Sequence, residues 1–206
     1  MPILKIARMG HPILRRIAEP VPDPTDPAVR RLAEAMIETM LDADGAGLAA
    51  PQVHMPWRMV VVQVPAERLA REGEADAAGV PPTVMINPLI EPLGPEKETA
   101  FEACLSVPGL AGPVPRFRRI RYRYQTLDGT TVERVVEGFH ARVIQHECDH
   151  LDGILYPMRV EDFSQFGFVE ELRRAGSTPG DEDGEEDADE GGEDWEELAQ
   201  EAGVRD

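Results

Sequence analysis

Two histidines and a glutamate lie close together in the segment VIQHECDHLDG (143–153). His146 and His150 are four residues apart, and Glu147 directly follows the first of them. If this segment is helical, both imidazoles lie on one face, because side chains four residues apart share a face. Imidazole nitrogens bind divalent transition metals, and a neighbouring carboxylate can accept a proton from water. The pattern H-E-x-x-H therefore predicts a metal-dependent hydrolytic site.

Two carboxylates flank this histidine face. At ~100° per residue, Glu147 and Asp149 lie on opposite sides of it at equal angles, so the angle does not decide which one would act as the base. The precedent of the motif favours Glu147. The alternative is that His146 and His150 are ordinary histidines in a solvated run of charge.

A catalytic metal site needs a third protein ligand. Cys148 points away from His146 on a helix, and we expect it to pack as a small apolar residue on the buried side. Cys104, in FEACLSVPG (101–109), offers a thiolate, which is a better ligand than a carboxylate. The alternatives are that Cys104 is a buried structural cysteine and that a downstream carboxylate is the ligand. The possible downstream ligands are Glu161, Glu170 and Glu171.

Glu102 lies two residues before Cys104. On an extended chain, side chains two residues apart point to the same side. Glu102 is therefore within reach of a supporting role, such as holding a ligand histidine.

The elements that must position these residues can be read from the hydrophobic spacing. A first helix is predicted at 25–45, with Thr25 or Asp26 as its cap, Pro27 in its first turn and Gly45 at its end. The helix carrying the histidines is predicted at about 138–152. A last amphipathic helix is predicted at about 162–174, with Phe163, Phe166, Val169 and Leu172 on its apolar face.

Strands are predicted at 58–64 and 83–87, with a surface excursion between them. A hairpin is predicted within 116–137, with its turn at Asp128-Gly129. The glycines and prolines of 108–115 predict a loop. The order of elements indicates an α+β fold with mainly antiparallel sheets rather than alternating β-α-β units.

The charge of the chain is unevenly distributed. Residues 177–206 contain fourteen acidic residues and one basic residue, a net charge of −13, which leaves −5 of the total −18 for the rest of the 206 residues. We expect one domain at 1–175 and an acidic, disordered tail at 176–206. The acidic balance argues against a nucleic-acid partner. With no secretory signal or membrane span and two cysteines taken to be reduced, we expect a cytoplasmic protein.

Three segments together resemble the signature motifs of the peptide deformylase family. They are GAGLAAPQ (45–52), EACLS (102–106) and QHECDHLDG (145–153), and they occur in the family's order. The segment GHPILRRIAEPV (10–21) also resembles the opening of that family. The resemblance covers roughly residues 1–165.

The resemblance implies a fold in which antiparallel sheets wrap around the helix bearing the H-E-x-x-H motif. It implies that Cys104, His146 and His150 bind one divalent metal and that water occupies the open fourth position. Ferrous iron, Fe(2+), is the family's physiological metal, and zinc, nickel or cobalt can replace it. The expected reaction removes the formyl group from the N-terminal formyl-methionine of new polypeptides and releases formate.

The resemblance also assigns roles to residues around the metal. Glu147 is the expected general acid and base. Gln52 and the backbone N–H of Leu105 are expected to stabilise the oxyanion, while Gly45 and Gly47 lie along the substrate cleft. The residues alone leave an alternative open for each of two positions. Gly45 could be a plain helix C-cap, and Gln52 could be a polar residue on the surface.

The chain departs from the family at three points. Ala103 stands where the family usually has glycine, and GLAGPVPR (109–116) lacks a basic residue where many bacterial members carry arginine near the substrate. Many members also end in a basic helix that docks on the ribosome, but this chain ends in acidic sequence. Ribosome docking is therefore not inferred, and we expect a monomer.

Two other hypotheses remain open at this point. A metallopeptidase would share the helix and the base but use a different third ligand. A non-catalytic protein would hold its metal in a fully coordinated site and use the acidic tail for interactions.

Overall fold

The computed structural model describes residues 2–66, 69 and 79–176. Within these residues three α-helices and eight strands have defined bounds. The helices are α1 (Pro27–Asp42), α2 (Gly138–Leu151) and α3 (Val169–Arg174). The strands are β1 (Gly47–Ala49), β2 (Met59–Val64), β3 (Val80–Pro92), β4 (Lys97–Cys104), β5 (Val107–Phe117), β6 (Arg119–Gln125), β7 (Thr131–Glu137) and β8 (Gly167–Phe168). Residues 177–206 of the predicted acidic tail, and part of the predicted excursion before β3, lie outside the described residues.

The strands form two sheets, and every pairing in them is antiparallel. One sheet has the order β1-β2-β3-β6-β7, and the other has the order β4-β5-β8. Helix α2 contacts strands of both sheets. The predicted α+β fold, with antiparallel sheets around a central helix, is confirmed.

Helix α2 is buried on more than one side, and this fixes the orientation of its histidine face. Ile144, Cys148 and Leu151 pack into a core with residues of the five-stranded sheet such as Val60 and Met85. The expectation that Cys148 packs as a buried apolar residue is confirmed, since its exposed fraction is 7%. The opposite face of α2, which carries the histidines, is thereby directed toward strand β4.

Helix α1 begins where the sequence predicts. Asp26 caps it by accepting a hydrogen bond of 2.7 Å from the backbone N–H of Ala28, and Pro27 is its first residue. The helix ends at Asp42 rather than at Gly45. The N–H of Gly45 nevertheless donates to the carbonyl of Met40 at 2.9 Å, so Gly45 closes the end of the helix.

The predicted hairpin is formed by β6 and β7. Gly129 adopts a φ of 82°, which only glycine enters freely. The carboxylate of Asp128 accepts a hydrogen bond from the N–H of Thr130 at 3.0 Å. The turn signal Asp128-Gly129 therefore predicted this element correctly.

The loop predicted at 108–115 is wrong, because these residues belong to strand β5. Strand β5 pairs along most of β4, for example Ala100 with Val114 and Glu102 with Gly112. Strand β8 covers β5 only at Leu110 and Ala111, so the prolines at 113 and 115 lie where β5 is an edge strand. Proline is tolerated there because its missing N–H faces no partner strand.

The helix predicted at 162–174 is also largely wrong. Only Val169–Arg174 is α-helical, and a short 3₁₀ turn (Phe163–Gln165) and strand β8 precede it. Gly167 and Phe168 pair with β5 instead of continuing a helix. The apolar spacing of this segment fits the helical period, but pairing with an exposed strand edge determines its conformation.

No α-helix among the described residues is long and apolar enough to cross a membrane.

Candidate active site

Three potential metal ligands converge between strand β4 and helix α2. Cys104 is the last residue of β4, and His146 and His150 lie one turn apart on α2. One ligand atom from each residue lies within 4.8 Å of the other two. The sulfur of Cys104 is 3.3 Å from Nε2 of His150. Bond lengths of ~2.3 Å to sulfur and ~2.1 Å to nitrogen at a tetrahedral angle would separate these atoms by roughly 3.6 Å, so the three donors fit one transition-metal ion.

The carboxylate of Glu102 holds His146 in place. Its Oε2 lies 2.8 Å from Nδ1 of His146, which leaves Nε2 as the nitrogen available to a metal. Burial alone would raise the pKa of Glu102, but hydrogen bonds from Arg116 and His146 outweigh burial and hold this pKa well below its usual range. Glu102 is therefore a buried anion, and the structure places it in contact with one of the two helical histidines.

The structure distinguishes the two carboxylates that flank the histidines. Asp149 is engaged by Arg116 at 2.5 Å and by Arg159 at 2.5 and 2.6 Å, so its oxygens are occupied. Glu147 lines the cavity beside Cys104 and His146, and its Oε2 is buried without a hydrogen-bond partner among the described residues. Burial raises the pKa of Glu147 to about 7. Of the two, Glu147 is thus the carboxylate whose surroundings would allow it to transfer a proton.

Gln52 is buried beside Cys104, and its interpretation as a surface residue is wrong. It lies in the 3₁₀ turn Ala50–Val53, and its Oε1 accepts from the N–H of Ala49 at 2.7 Å. Its Nε2 is 3.1 Å from Oγ of Ser106 and 3.6 Å from the sulfur of Cys104. Because Oε1 is occupied, the amide N–H₂ group of Gln52 is directed toward Ser106 and the sulfur of Cys104.

Leu105 follows Cys104 in the tight turn that joins β4 to β5, and it lines the same cavity. The turn is stabilised by a hydrogen bond of 3.4 Å from the N–H of Ser106 to the sulfur of Cys104. The backbone next to the thiolate is therefore fixed relative to it.

Gly45 and Gly47 line the cavity from the side of strand β1. A Cβ built at Gly47 would come within 2.6 Å of Cγ of Glu147. A Cβ at Gly45 would lie 3.1 Å from Cδ1 of Leu105. Glycine at position 47 is therefore required by space, because any side chain there would displace Glu147.

The cavity has a volume of about 450 Å³ and runs along α2 between β1 and β4. Sequence reasoning missed several of its lining residues, including Phe101, Phe139, Arg142 and Val143. Arg142 and Val143 precede His146 by four and three residues, so helical spacing alone could have placed them on the histidine face. The departure Ala103 also lines this cavity, where its methyl group takes up space that glycine would leave.

Comparison with known proteins places the chain in one family. A family model described as polypeptide deformylase matches residues 3–166. Peptide deformylase 2 of Ralstonia nicotianae is 51% identical over 170 residues, covering 82% of this chain and 94% of the relative. Peptide deformylase 1 of Bordetella pertussis is 50% identical over 167 residues, covering 81% and 93%.

Solved structures of the same family have the same fold. The peptide deformylase of Thermotoga maritima matches with a TM-score of 0.69 and 38% identity, covering 79% of this chain and all of that one. A peptide deformylase of Synechococcus elongatus in complex with actinonin matches with a TM-score of 0.70 and 35% identity, covering 85% and 87%. The chain belongs to the polypeptide deformylase family.

Proposed function

We propose that this chain hydrolyses the formamide at the N-terminus of formyl-methionyl polypeptides and releases formate. Removal of this formyl group is the metal-dependent activity of its family, and the match to the family model includes the proposed metal ligands and Glu147. The observation that carries the proposal for this chain is the convergence of Cys104, His146 and His150 beside a buried, unpartnered oxygen of Glu147.

We propose Cys104 and Nε2 of both His146 and His150 as the ligands of one ferrous ion. Thiolate and imidazole donors suit iron, zinc, nickel and cobalt alike, so the donor set supports a transition metal and the family resemblance favours iron. When bound, the metal supplies Lewis-acid activation, which lowers the pKa of a water molecule from ~16 to ~7.

Glu147 is the proposed general base and acid. Its carboxylate accepts the proton from the attacking water and later donates it to the departing amine of methionine. A pKa of about 7 suits both transfers, because the group is then neither a very weak base nor a very weak acid near neutral pH.

Gln52 and the backbone N–H of Leu105 are the proposed donors to the oxygen that becomes negative in the tetrahedral intermediate. Gln52 is held in position by the hydrogen bond from Ala49 to its Oε1, so its N–H₂ group need not reorganise during the reaction. The apolar side chains of Phe101, Leu105, Phe139 and Val143 line the cavity and suit the side chain of methionine.

We further propose that the substrates are nascent polypeptides in the cytoplasm, where formylated chains are made. The enzyme acts as a monomer in this proposal, since the candidate site is assembled entirely from one chain. Residues 1–175 form the catalytic domain, and the acidic residues 176–206 are a solubilising appendage. The acidic sequence of that appendage would be repelled by nucleic acid, so no nucleic-acid contact, ribosome docking or membrane partner is included.

The proposal is tested by incubating the ferrous-loaded protein with formyl-Met-Ala and measuring formate. Acetyl-Met-Ala and unformylated Met-Ala serve as controls. We expect formate release from the first peptide and no cleavage of the Met-Ala bond in any of them. Cleavage of that bond without formate release would instead support the metallopeptidase hypothesis, and no reaction by protein with a filled metal site would support a non-catalytic protein.

A further inference from the structure

We infer that Arg159 is a positioning residue for the metal centre and that it acts through a chain of buried ion pairs. This inference rests on the proposed metal ligands. Arg159 lies in the 3₁₀ turn Tyr156–Arg159, beyond the end of α2, and lines a second cavity of about 340 Å³. Glu102 lines the substrate cavity, Arg116 and Asp149 line the second one, and none of the described residues lines both.

The chain of ion pairs begins at the metal ligand His146. Oε2 of Glu102 receives both Nδ1 of His146 and Nη2 of Arg116, each at 2.8 Å. Oε1 of Glu102 accepts from Nε of Arg116 at 2.8 Å and from Nη1 of Arg142 at 2.9 Å. Four donors thus fix this carboxylate, and the carboxylate fixes the imidazole ring.

The guanidinium of Arg116 donates hydrogen bonds to two carboxylates. Nε and Nη2 form a fork on Glu102, and Nη1 donates to Oδ2 of Asp149 at 2.5 Å. All three side chains are buried, with exposed fractions of 4% for Arg116, 4% for Glu102 and 10% for Asp149. In such surroundings each carboxylate competes for the shared cation.

Arg159 neutralises the second carboxylate. Its Nε donates to Oδ2 of Asp149 at 2.5 Å and its Nη2 donates to Oδ1 at 2.6 Å, a two-bond fork. With Arg159 in place, Asp149 accepts only one hydrogen bond from Arg116. The other two donor nitrogens of Arg116, Nε and Nη2, remain on Glu102. Without Arg159, a buried anion would have Arg116 as its only cation in this cluster. Arg116 would then shift toward Asp149 and loosen Glu102, and with it His146.

The side chain of Arg159 is 41% exposed, whereas the side chains of Arg116, Glu102 and Asp149 are buried. It can therefore be replaced with little loss of packing. A second arginine provides a matched control. Arg58 lines the same second cavity and pairs with Asp152 at 2.7 Å near the same end of α2, but Asp152 makes no ion pair with Arg116 among the described residues.

The test compares cobalt-loaded wild type, Arg159→Met, Arg159→Lys and Arg58→Met. The d–d absorption spectrum reports ligand geometry, and its decay in excess chelator gives the rate of metal release. We expect Arg159→Met to release Co²⁺ about tenfold faster and to alter the spectrum, by analogy with other groups that support metal ligands. Arg159→Lys should fall between it and wild type, because lysine keeps the charge but not the fork. Arg58→Met should release the metal as wild type does.

A second pair of variants tests whether Arg159 acts through the charge of Asp149. In an Asp149→Asn background the buried charge is already absent, so adding Arg159→Met should change the release rate less than twofold. Equal release from Arg159→Met and wild type, equal acceleration by Arg58→Met, or a full additional effect in the Asp149→Asn background would each overturn the inference. Failure of the wild type to bind cobalt at all would instead contradict the proposed metal ligands.

Discussion

Glu147 and Asp149 are two residues apart on the same helix, yet their surroundings give the two carboxylates different chemistry. Within the part of the chain that the structure describes, Oε2 of Glu147 has no hydrogen-bond partner, and burial raises the pKa of Glu147 to about 7. Asp149 is held between Arg116 and Arg159. At the scale of single residues, the role of each carboxylate is therefore decided by its neighbours and not by its type.

Replacing Glu147 by glutamine should abolish most of the activity without removing the metal. Loss of the proton-transfer group is expected to lower kcat for formate release by about 10²–10⁴. Metal content should remain near one per chain, since Glu147 is not a proposed ligand. Glu161→Gln, at an exposed carboxylate, is the matched control, and an activity of Glu147→Gln within twofold of wild type would contradict the assigned role.

Replacing Gln52 by leucine should lower kcat more than it changes KM. Its N–H₂ group is proposed to act on the oxyanion, which exists only after the attack, and loss of one such donor costs on the order of 10²–10³ in rate. Steady-state kinetics with formyl-Met-Ala measure the effect, with Gln165→Leu in the exposed 3₁₀ turn as the control. A rise in KM at unchanged kcat would contradict this role, because it would show that Gln52 binds the ground state and the transition state equally.

The sequence predicted the residues of the site whose arrangement depends on local spacing. His146, His150 and Glu147 follow from the period of one helix, and Glu102 follows from its separation of two residues from Cys104. The contact of Arg116 with Glu102 depends instead on the register of β5 against β4, which places Glu98 opposite Arg116 and Glu102 opposite Gly112. That register has no short-range signal, so the network that supports the metal ligands could not be predicted.

At the scale of elements, predictions that rest on local sequence signals are correct, and those that depend on long-range strand pairing are incorrect. Helix α1 and the β6–β7 hairpin carry their own caps and turn residues, and both were predicted. Strand β5 was read as a loop because its glycines and prolines are turn formers, although an extended partner stabilises them in a strand. Phe168 was read as part of a helix, although pairing of β8 with Leu110 of β5 determines its conformation.

The backbone of strand β1 lies close to α2 at Gly47. We therefore expect Gly47→Ala to lower both activity and stability. Its Cβ would lie 2.6 Å from Cγ of Glu147, so the side chain of the proposed general base would have to move. We expect at least a tenfold loss of kcat and a destabilisation of about 1–3 kcal/mol, as for other overpacked sites. Gly167→Ala, where the nearest atoms are 3.7 Å away, is the control, and equal behaviour of the two variants would contradict the steric argument.

The buried ion pairs between β4, β5 and α2 should matter for stability far more than exposed pairs on the sheet. Arg116→Leu leaves the carboxylates of Glu102 and Asp149 buried with one partner fewer, which is expected to cost about 3–5 kcal/mol. Arg121→Leu removes an exposed pair with Glu91 and should cost about 0–1 kcal/mol. Urea unfolding of the metal-free proteins measures both free energies, and similar values for the two variants would contradict this assignment.

At the scale of the whole molecule, charge and catalysis lie in different parts of the sequence. The candidate site uses residues between positions 45 and 150, whereas −13 of the net charge of −18 lies in residues 177–206. Truncation after Gly176 should therefore leave kcat/KM within twofold of wild type. The truncated protein should also elute from an anion exchanger at lower salt, and a tenfold loss of activity would show that the tail contributes to catalysis.

The central claim is that the sulfur of Cys104 joins the two helical histidines around one metal ion. X-ray absorption at the metal edge of the anaerobically ferrous-loaded protein tests it most directly. We predict one sulfur neighbour at ~2.3 Å and nitrogen or oxygen neighbours at about 2.0–2.2 Å, with the sulfur signal lost in Cys104→Ala. A metal bound by nitrogen and oxygen alone, or a sulfur signal that survives Cys104→Ala, would contradict the account.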